Sequence, residues 1–197
     1  MRDILRLVVV LTLICAVTAG ALSALKVTLA PKIERQNDFY VRGPALENLF
    51  GHPADELLSN KINFTIDDQT YPVFYMKDNS GVTGLAIEAP GHGGYGGDVY
   101  IMIGINLEKS SLIGMEIVRH SETPGVGSQI EKESFRKQWN GMPVKESYAL
   151  RGSGGEIDAI SGATYSSKAV LDGTNRILGL LQEHKDEIIK RIQTKHG

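Results

Sequence analysis

Nineteen consecutive residues, Leu7 to Leu25, pass without a charged side chain, bracketed by Arg6 and Lys26. Wound as a helix at ~1.5 Å per residue, such a stretch just crosses a hydrocarbon layer of about 30 Å. A cleavable leader competes with this reading, because Ala19-Gly20-Ala21 is a small-residue patch. The run exceeds the usual leader core of roughly 7–15 residues, which favours a retained transmembrane helix. Cys15 lies inside it as a small side chain facing lipid or another helix. Arg2 and Arg6 precede the span while Lys26, Lys32 and Arg35 follow it, so charge alone does not orient it. Pro31 is expected to end or bend the helix.

The remainder of the 197 residues suffices for one ordinary domain. Twenty-one basic against 23 acidic residues leave no excess positive charge, so nucleic acid is not an expected partner. A single cysteine excludes an internal disulfide and a cysteine-built metal or iron–sulfur site. Residues 32–60 read as short amphipathic helices with Leu46, Leu49, Phe50, Leu57 and Leu58 on the apolar face. Gly43-Pro44 and Gly51-His52-Pro53 break them, giving a linker that packs against the domain.

Five stretches rich in β-branched and aromatic residues follow: Ile62–Ile66, Tyr71–Lys77, Val82–Glu88, Val99–Leu107 and Leu112–Val118. Asp67-Asp68, Asp78-Asn79-Ser80-Gly81 and Glu108-Lys109-Ser110-Ser111 separate them as hairpin-type turns. Short turns imply a mainly antiparallel sheet, and with helices at its ends the fold class is α+β. Ile130–Trp139 reads as a helical stretch. Val170, Ile177, Leu178, Leu181, Ile188, Ile189 and Ile192 recur at helical spacing and predict a long C-terminal helix.

Just ahead of that helix stands Asp158-Ala159-Ile160-Ser161-Gly162-Ala163-Thr164-Tyr165-Ser166-Ser167. A Ser/Thr cluster in this place is ordinarily a cap, since hydroxyl oxygens accept from unpaired first-turn amides. The same amides and the helix dipole also suit a phosphate. The order of residues, an Asp followed two residues later by Ile-Ser-Gly-Ala-Thr, resembles the flavin-attachment motif of two membrane redox proteins. These are the G subunit of the Rnf complex and the C subunit of the sodium-pumping NADH:quinone reductase. In that family a flavin transferase joins FMN through its phosphate to the last hydroxyl of the motif. The resemblance makes Thr164 the covalent FMN acceptor, with Asp158, Ser161, Gly162 and Ala163 completing the motif. Ala159 stands where the family often has Gly.

Two further segments fit the resemblance. Gly91-His92-Gly93-Gly94-Tyr95-Gly96-Gly97 matches a dinucleotide fingerprint in its first six residues, but a strand follows rather than a helix, so that match is rejected. Either a plain glycine hairpin or a turn that lets backbone approach a ligand remains, with Tyr95 able to stack on a flat ring. In the resembled family this loop, here Gly94, Tyr95 and Gly96, lies beside the isoalloxazine ring. His120-Ser121-Glu122-Thr123-Pro124-Gly125-Val126-Gly127 follows the last strand. Glu122 and Thr123 offer an acceptor and a donor/acceptor able to read a flavin's edge. An exposed acidic turn is the plainer alternative. The Glu-Thr-Pro-Gly-apolar-Gly order again resembles the family, in which Glu122, Thr123, Gly125 and Val126 line the flavin. Val126 replaces a frequent Leu.

His92 and His120 lack a second ligand at suitable spacing, so no metal site is expected. Thr164 has no adjacent base, so attachment requires an external transferase. Amides 165–167 and the hydroxyls of Ser166 and Ser167 are expected to hold the phosphate, with Lys168 nearby. The resemblance implies residues 1–30 as cytoplasmic tip and anchor, 31–60 as membrane-side linker, and 61–197 as an FMN-binding domain outside the cytoplasm, in a cell inner membrane crossed once. It implies an electron relay among the other members of an ion-translocating complex, without an independent catalytic site. Compact length and the His-Ser-Glu-Thr-Pro-Gly segment look more like the Rnf protein than its quinone-reductase relative. The competing reading is a membrane-tethered, non-redox module that binds a phosphorylated ligand.

Overall fold

Alternating burial along the strands builds the sheet. In the computed structural model, which describes residues 2–78 and 81–195, β1 (Lys61–Ile66), β2 (Gln69–Asp78), β3 (Gly81–Gly94), β4 (Gly97–Asn106) and β5 (Ser111–Arg119) pair antiparallel in the order β1-β2-β3-β4-β5. Asp67 and Asp68 both take positive φ (48° and 62°), the hand that a two-residue hairpin between twisted strands requires. Asn79 and Ser80 of the second expected turn lie outside the described residues, and their flanks pair as Asp78 with Gly81. At the third turn Asn106 Oδ1 accepts from the Lys109 amide at 2.9 Å.

Side chains of Val73, Tyr75, Leu85, Ile87, Ile101, Ile103 and Ile105 share one face and one core with the C-terminal helix. Phe74, Ala86 and Met102, one residue out of phase, share the opposite face with Ala45, Leu46, Leu49 and Leu57. The period of two thus feeds two cores, which is why the strands carry so few exposed positions. The second core is roofed by α2 (Gly43–Phe50) and α3 (Ala54–Ser59). Gly43-Pro44 opens α2 instead of breaking a helix, because proline is tolerated in a first turn where its missing amide has no partner. Gly51 ends α2 in a left-handed conformation (φ 70°). Residues from Val41 onward form one compact unit, which therefore takes in the linker helices as well as the sheet.

Between β5 and the last helix the expected helix over 130–139 is broken into a 3₁₀ turn (Gly127–Glu131), α4 (Glu133–Arg136) and a second 3₁₀ turn (Lys137–Trp139). Lys132, with ψ 136°, is extended and interrupts the winding. Buried Trp139 donates from Nε1 to Thr174 Oγ1 at 3.1 Å, tying this segment to α5 (Thr164–Thr194). On α5, Val170, Ile177, Leu178, Leu181, Ile188 and Ile192 are buried, as their spacing predicts, while Ile189 is half-buried. Gly91 allows the helix to lie close: a Cβ there would overlap the Ala169 carbonyl and come within 2.9 Å of the Gly173 amide.

The N-terminal unit, through Tyr40, is α1 (Arg2–Asn37), a single helix of 36 residues with no buried position. It is long and apolar enough to cross a membrane. Thr18 and Thr28 donate to the carbonyls of Ile14 and Ala24 at 2.9 and 2.8 Å, so these hydroxyls are satisfied within the helix. Pro31 does not end it: the helix continues to Asn37 with proline inside. A helical proline removes its own amide's bond and crowds the carbonyl four residues earlier, and propagation on both sides carries the winding across. Asp38–Arg42 then winds as a π-helical turn.

Candidate functional site

The tip of the β3–β4 hairpin, the loop after β5 and the start of α5 meet at a cleft of about 170 Å³. Tyr95, Glu122, Thr123, Val126, Gly127, Gly162, Ala163, Thr164, Tyr165 and Ser166 line it. Gly94 pairs with Gly97, so the glycine segment is a hairpin turning at Tyr95-Gly96, which leaves Tyr95 80% exposed at its tip. Val126 is 46% and Tyr165 66% exposed, so the rim is apolar and aromatic yet open.

The turn ahead of Thr164 is built locally. The Ala163 amide donates to the Ile160 carbonyl at 3.0 Å, closing a four-residue turn in which Gly162 takes φ 80°, a position that favours glycine. Ala163 precedes the first helical residue, Thr164, and no side chain caps the helix. The capping role ordinarily read from such a Ser/Thr cluster is therefore absent. The first amides of α5 have no intrahelical partner, by the geometry of any helix start.

The four aliphatic hydroxyls of the motif separate into two classes. Ser167 is fully buried; its Oγ accepts from the Ile160 amide and donates to the Ala163 carbonyl, both at 3.0 Å. Ser166 is buried and donates to Glu122 Oε2. Both serines thus serve the fold, which corrects the expectation that their hydroxyls face a phosphate. The Ser167 amide is likewise taken, by the Ala163 carbonyl. Ser161 and Thr164 are exposed, and of these two Thr164 alone lines the cleft.

Glu122 is only 5% exposed, not a surface turn. Its Oε1 accepts from the Gly96 amide at 2.9 Å, and its own amide donates to His120 Nδ1 at 3.0 Å. The carboxylate lines the cleft and is engaged by a protein donor on each oxygen. Gly94 and Gly96 are not among the lining residues; a Cβ at Gly94 would crowd the Gly97 carbonyl and the Glu122 carboxylate, and one at Gly96 the Ser121 carbonyl. Gly125 (φ 76°) also lies outside the lining, its amide donating to Ser128 Oγ at 2.9 Å.

Asp158 is likewise apart from the cleft. Arg151 grips it with both arms of the guanidinium, at 2.5 and 3.1 Å, and its backbone pairs with the Gln138 side chain at 2.6 and 3.2 Å. The Arg151 hydrogen bond holds its carboxyl below the usual range. Asp158 therefore anchors the strand-like approach to the turn. Gly127 and Tyr165 line the cleft without having been singled out as site residues. The signal for Tyr165 was a large aromatic in a helix's first turn where no core faces it.

The histidines do find carboxylates: His92 Nδ1 lies 2.8 Å from Asp98 and His120 Nε2 lies 3.0 Å from Glu131. Among the described residues, no group of three or more His, Cys, Asp or Glu side chains comes together to hold a metal ion. The lining residues include no histidine or lysine, and the one carboxylate among them, Glu122, is hydrogen-bonded to Gly96 and Ser166.

A family profile described as an FMN-binding domain matches residues 94–179, which span the hairpin tip, the loop after β5 and the first half of α5. The G subunit of the ion-translocating oxidoreductase complex of Methanosarcina acetivorans is 34% identical over 175 residues, 87% of this chain and 90% of that protein. The protein of the same name from Haemophilus influenzae is 27% identical over 129 residues, 62% of this chain and 61% of its own length. Among solved structures, NqrC of Shewanella oneidensis superposes with a TM-score of 0.50 at 18% identity, over 69% of this chain and 70% of that one, a likeness of fold.

Proposed function

Because the chain belongs to the family of G subunits of ion-translocating oxidoreductase complexes, we propose that it is a membrane-anchored electron-transfer protein of such a complex, with FMN held covalently on Thr164. One observation carries the covalent part. Within the hydroxyl cluster, Ser166 and Ser167 are buried and hydrogen-bonded inside the protein, whereas Thr164 is exposed at the cleft.

The residues present fit such a group. The apolar, aromatic rim of Tyr95, Val126 and Tyr165 suits a flat ring, and the uncapped first turn of α5 offers amides to a phosphodiester. Thr123 contributes a hydroxyl at the same cleft. Loading requires a transferase and a flavin dinucleotide. The Thr164 Oγ1–phosphorus bond forms, the phosphoanhydride bond breaks, the nucleoside monophosphate leaves, and the hydroxyl proton passes to a base on the transferase. The bound flavin supplies the electron-carrying chemistry. The chain's own residues tether and orient it and keep water from one side of it. Electrons pass between other members of the complex, and α1 holds the domain at the membrane with its body outside the cytoplasm.

Intact-mass measurement of protein made with the transferase tests the attachment. The chain should be heavier by one FMN less one water, and Thr164→Ala should remove that increment. An unmodified wild-type mass would overturn covalent loading and leave a tethered module that binds its ligand reversibly. Protease access to the domain in intact cells against inverted vesicles decides its side.

A further inference from the structure

We propose that Glu122 is the positioning residue of the acceptor turn: its buried carboxylate ties the hairpin tip to the first turn of α5 and so sets where Thr164 meets the cleft. Glu122 receives the Gly96 amide, 26 residues earlier, on Oε1 and the Ser166 hydroxyl, 44 residues later, on Oε2. Three segments remote in sequence thus close on one side chain. Ser166 stands two residues beyond Thr164 in the same helical turn, so a constraint on one is a constraint on the other.

The surroundings are shaped to this carboxylate. A Cβ at Gly94 would come within 2.6 Å of Oε1, and one at Gly127 within 2.5 Å of Oε2. A Cβ at Gly96 would overlap the Ser121 carbonyl. Gly94 and Gly127 thus leave room for the Glu122 side chain, and Gly96 for the backbone just before it. Its backbone is fixed as well, by the bond from its amide to His120 Nδ1, and His120 in turn faces Glu131. Such a group, satisfied on both oxygens and nearly dry, holds geometry rather than reacting. The consequence for loading rests on the flavin reading of Thr164; the clamp itself rests on the bonds above.

The test uses the full chain in detergent, as wild type and as Glu122→Ala, Ser166→Ala, the double variant and Glu122→Gln. Hydrogen exchange is resolved at the Gly96 and Ser167 amides, and the rate of FMN transfer to Thr164 is measured at saturating transferase and dinucleotide. Glu122→Ala should speed exchange at both amides and Ser166→Ala at Ser167 alone. Each should slow transfer at least tenfold without changing KM for the dinucleotide. The double variant should be no slower than the slower single, because both act through one bond. Glu122→Gln, able to accept from Gly96 and donate to Ser166, should retain most of the rate. Ser166→Ala is the informative variant should Glu122→Ala fail to fold. Wild-type transfer rates in a folded Glu122→Ala or Ser166→Ala, multiplying losses in the double, or unchanged exchange at Ser167 would each overturn the clamp. A wild-type chain that takes no flavin refutes the loading reading, and the exchange data still decide the clamp.

Discussion

Two hydroxyls three residues apart should respond oppositely to removal. Ser167→Ala deletes an oxygen that accepts from the Ile160 amide and donates to the Ala163 carbonyl, at a fully buried position. The amide left behind costs about 1–3 kcal/mol, offset by a few tenths from alanine's better helix propensity. For a unit of this size each kcal/mol moves Tm by roughly 2–4 °C, so Ser167→Ala should melt about 2–10 °C below wild type. Thr164 is exposed, caps nothing and makes no side-chain bond to lose. Thr164→Ala should stay within about 0.5 kcal/mol of wild type, less than roughly 2 °C, while losing the flavin. Thermal unfolding of unmodified protein, followed by far-ultraviolet circular dichroism in detergent, measures both. A Ser167→Ala chain that melts with wild type, or a Thr164→Ala chain that falls alongside it, would refute the division into a fold-serving and an available hydroxyl.

Gly91→Ala should destabilise by about 1–3 kcal/mol or more, since the added methyl meets α5 backbone that cannot rotate away. Gly179→Ala, with nothing within 4 Å of its added Cβ, should be neutral or stabilising by about 0.5–1 kcal/mol in the same denaturant titration. Burial tends to raise the Asp172 carboxyl, but the Arg176 guanidinium and the His92 amide outweigh it and hold it below the ordinary 3.8. Its stabilising contribution is then present above that value and lost as pH falls through the lower folded one. Asp172→Asn should lower stability at neutral pH and flatten this acid limb; an acid-unfolding curve parallel to wild type would contradict the pairing. A chain beginning at Val41 should fold and remain soluble, because both cores lie beyond that point. Loss of its cooperative unfolding transition would show that α1 supports the domain.

The strands and the last helix were legible because one physical pattern dominates each: β-branched alternation closed by Asp-Asp or Ser turns, and an apolar stripe from Val170 to Ile192. The family was legible from the residue order at 158–164. What escaped depends on partners far along the chain. Nothing beside Glu122 announces that its carboxylate is buried, because the donors come from Gly96 and Ser166. Ser166 and Ser167 look like first-turn caps until Glu122 and Ile160 are seen to occupy them. The glycines from 91 to 97 read either as a plain hairpin or as a turn open to a ligand, and their tertiary roles were hidden: Gly91 answers to α5 and Gly94 and Gly96 to the loop after β5. Of the two outcomes expected at Pro31, an end or a bend, the end is absent, because the helix runs past it.

The meander places neighbours in sequence beside one another, so β1 through β5 can pair in the order in which they are synthesised. The cleft cannot follow that schedule. One of its walls, residues 162–166, belongs to the final helix, whose hydrophobic stripe must dock before that wall stands opposite the hairpin tip. Any enzyme that acts on Thr164 within this cleft thereby inspects a finished molecule: a chain cut short before its C-terminal stripe, or stalled partway through emergence, presents the motif without the receptacle.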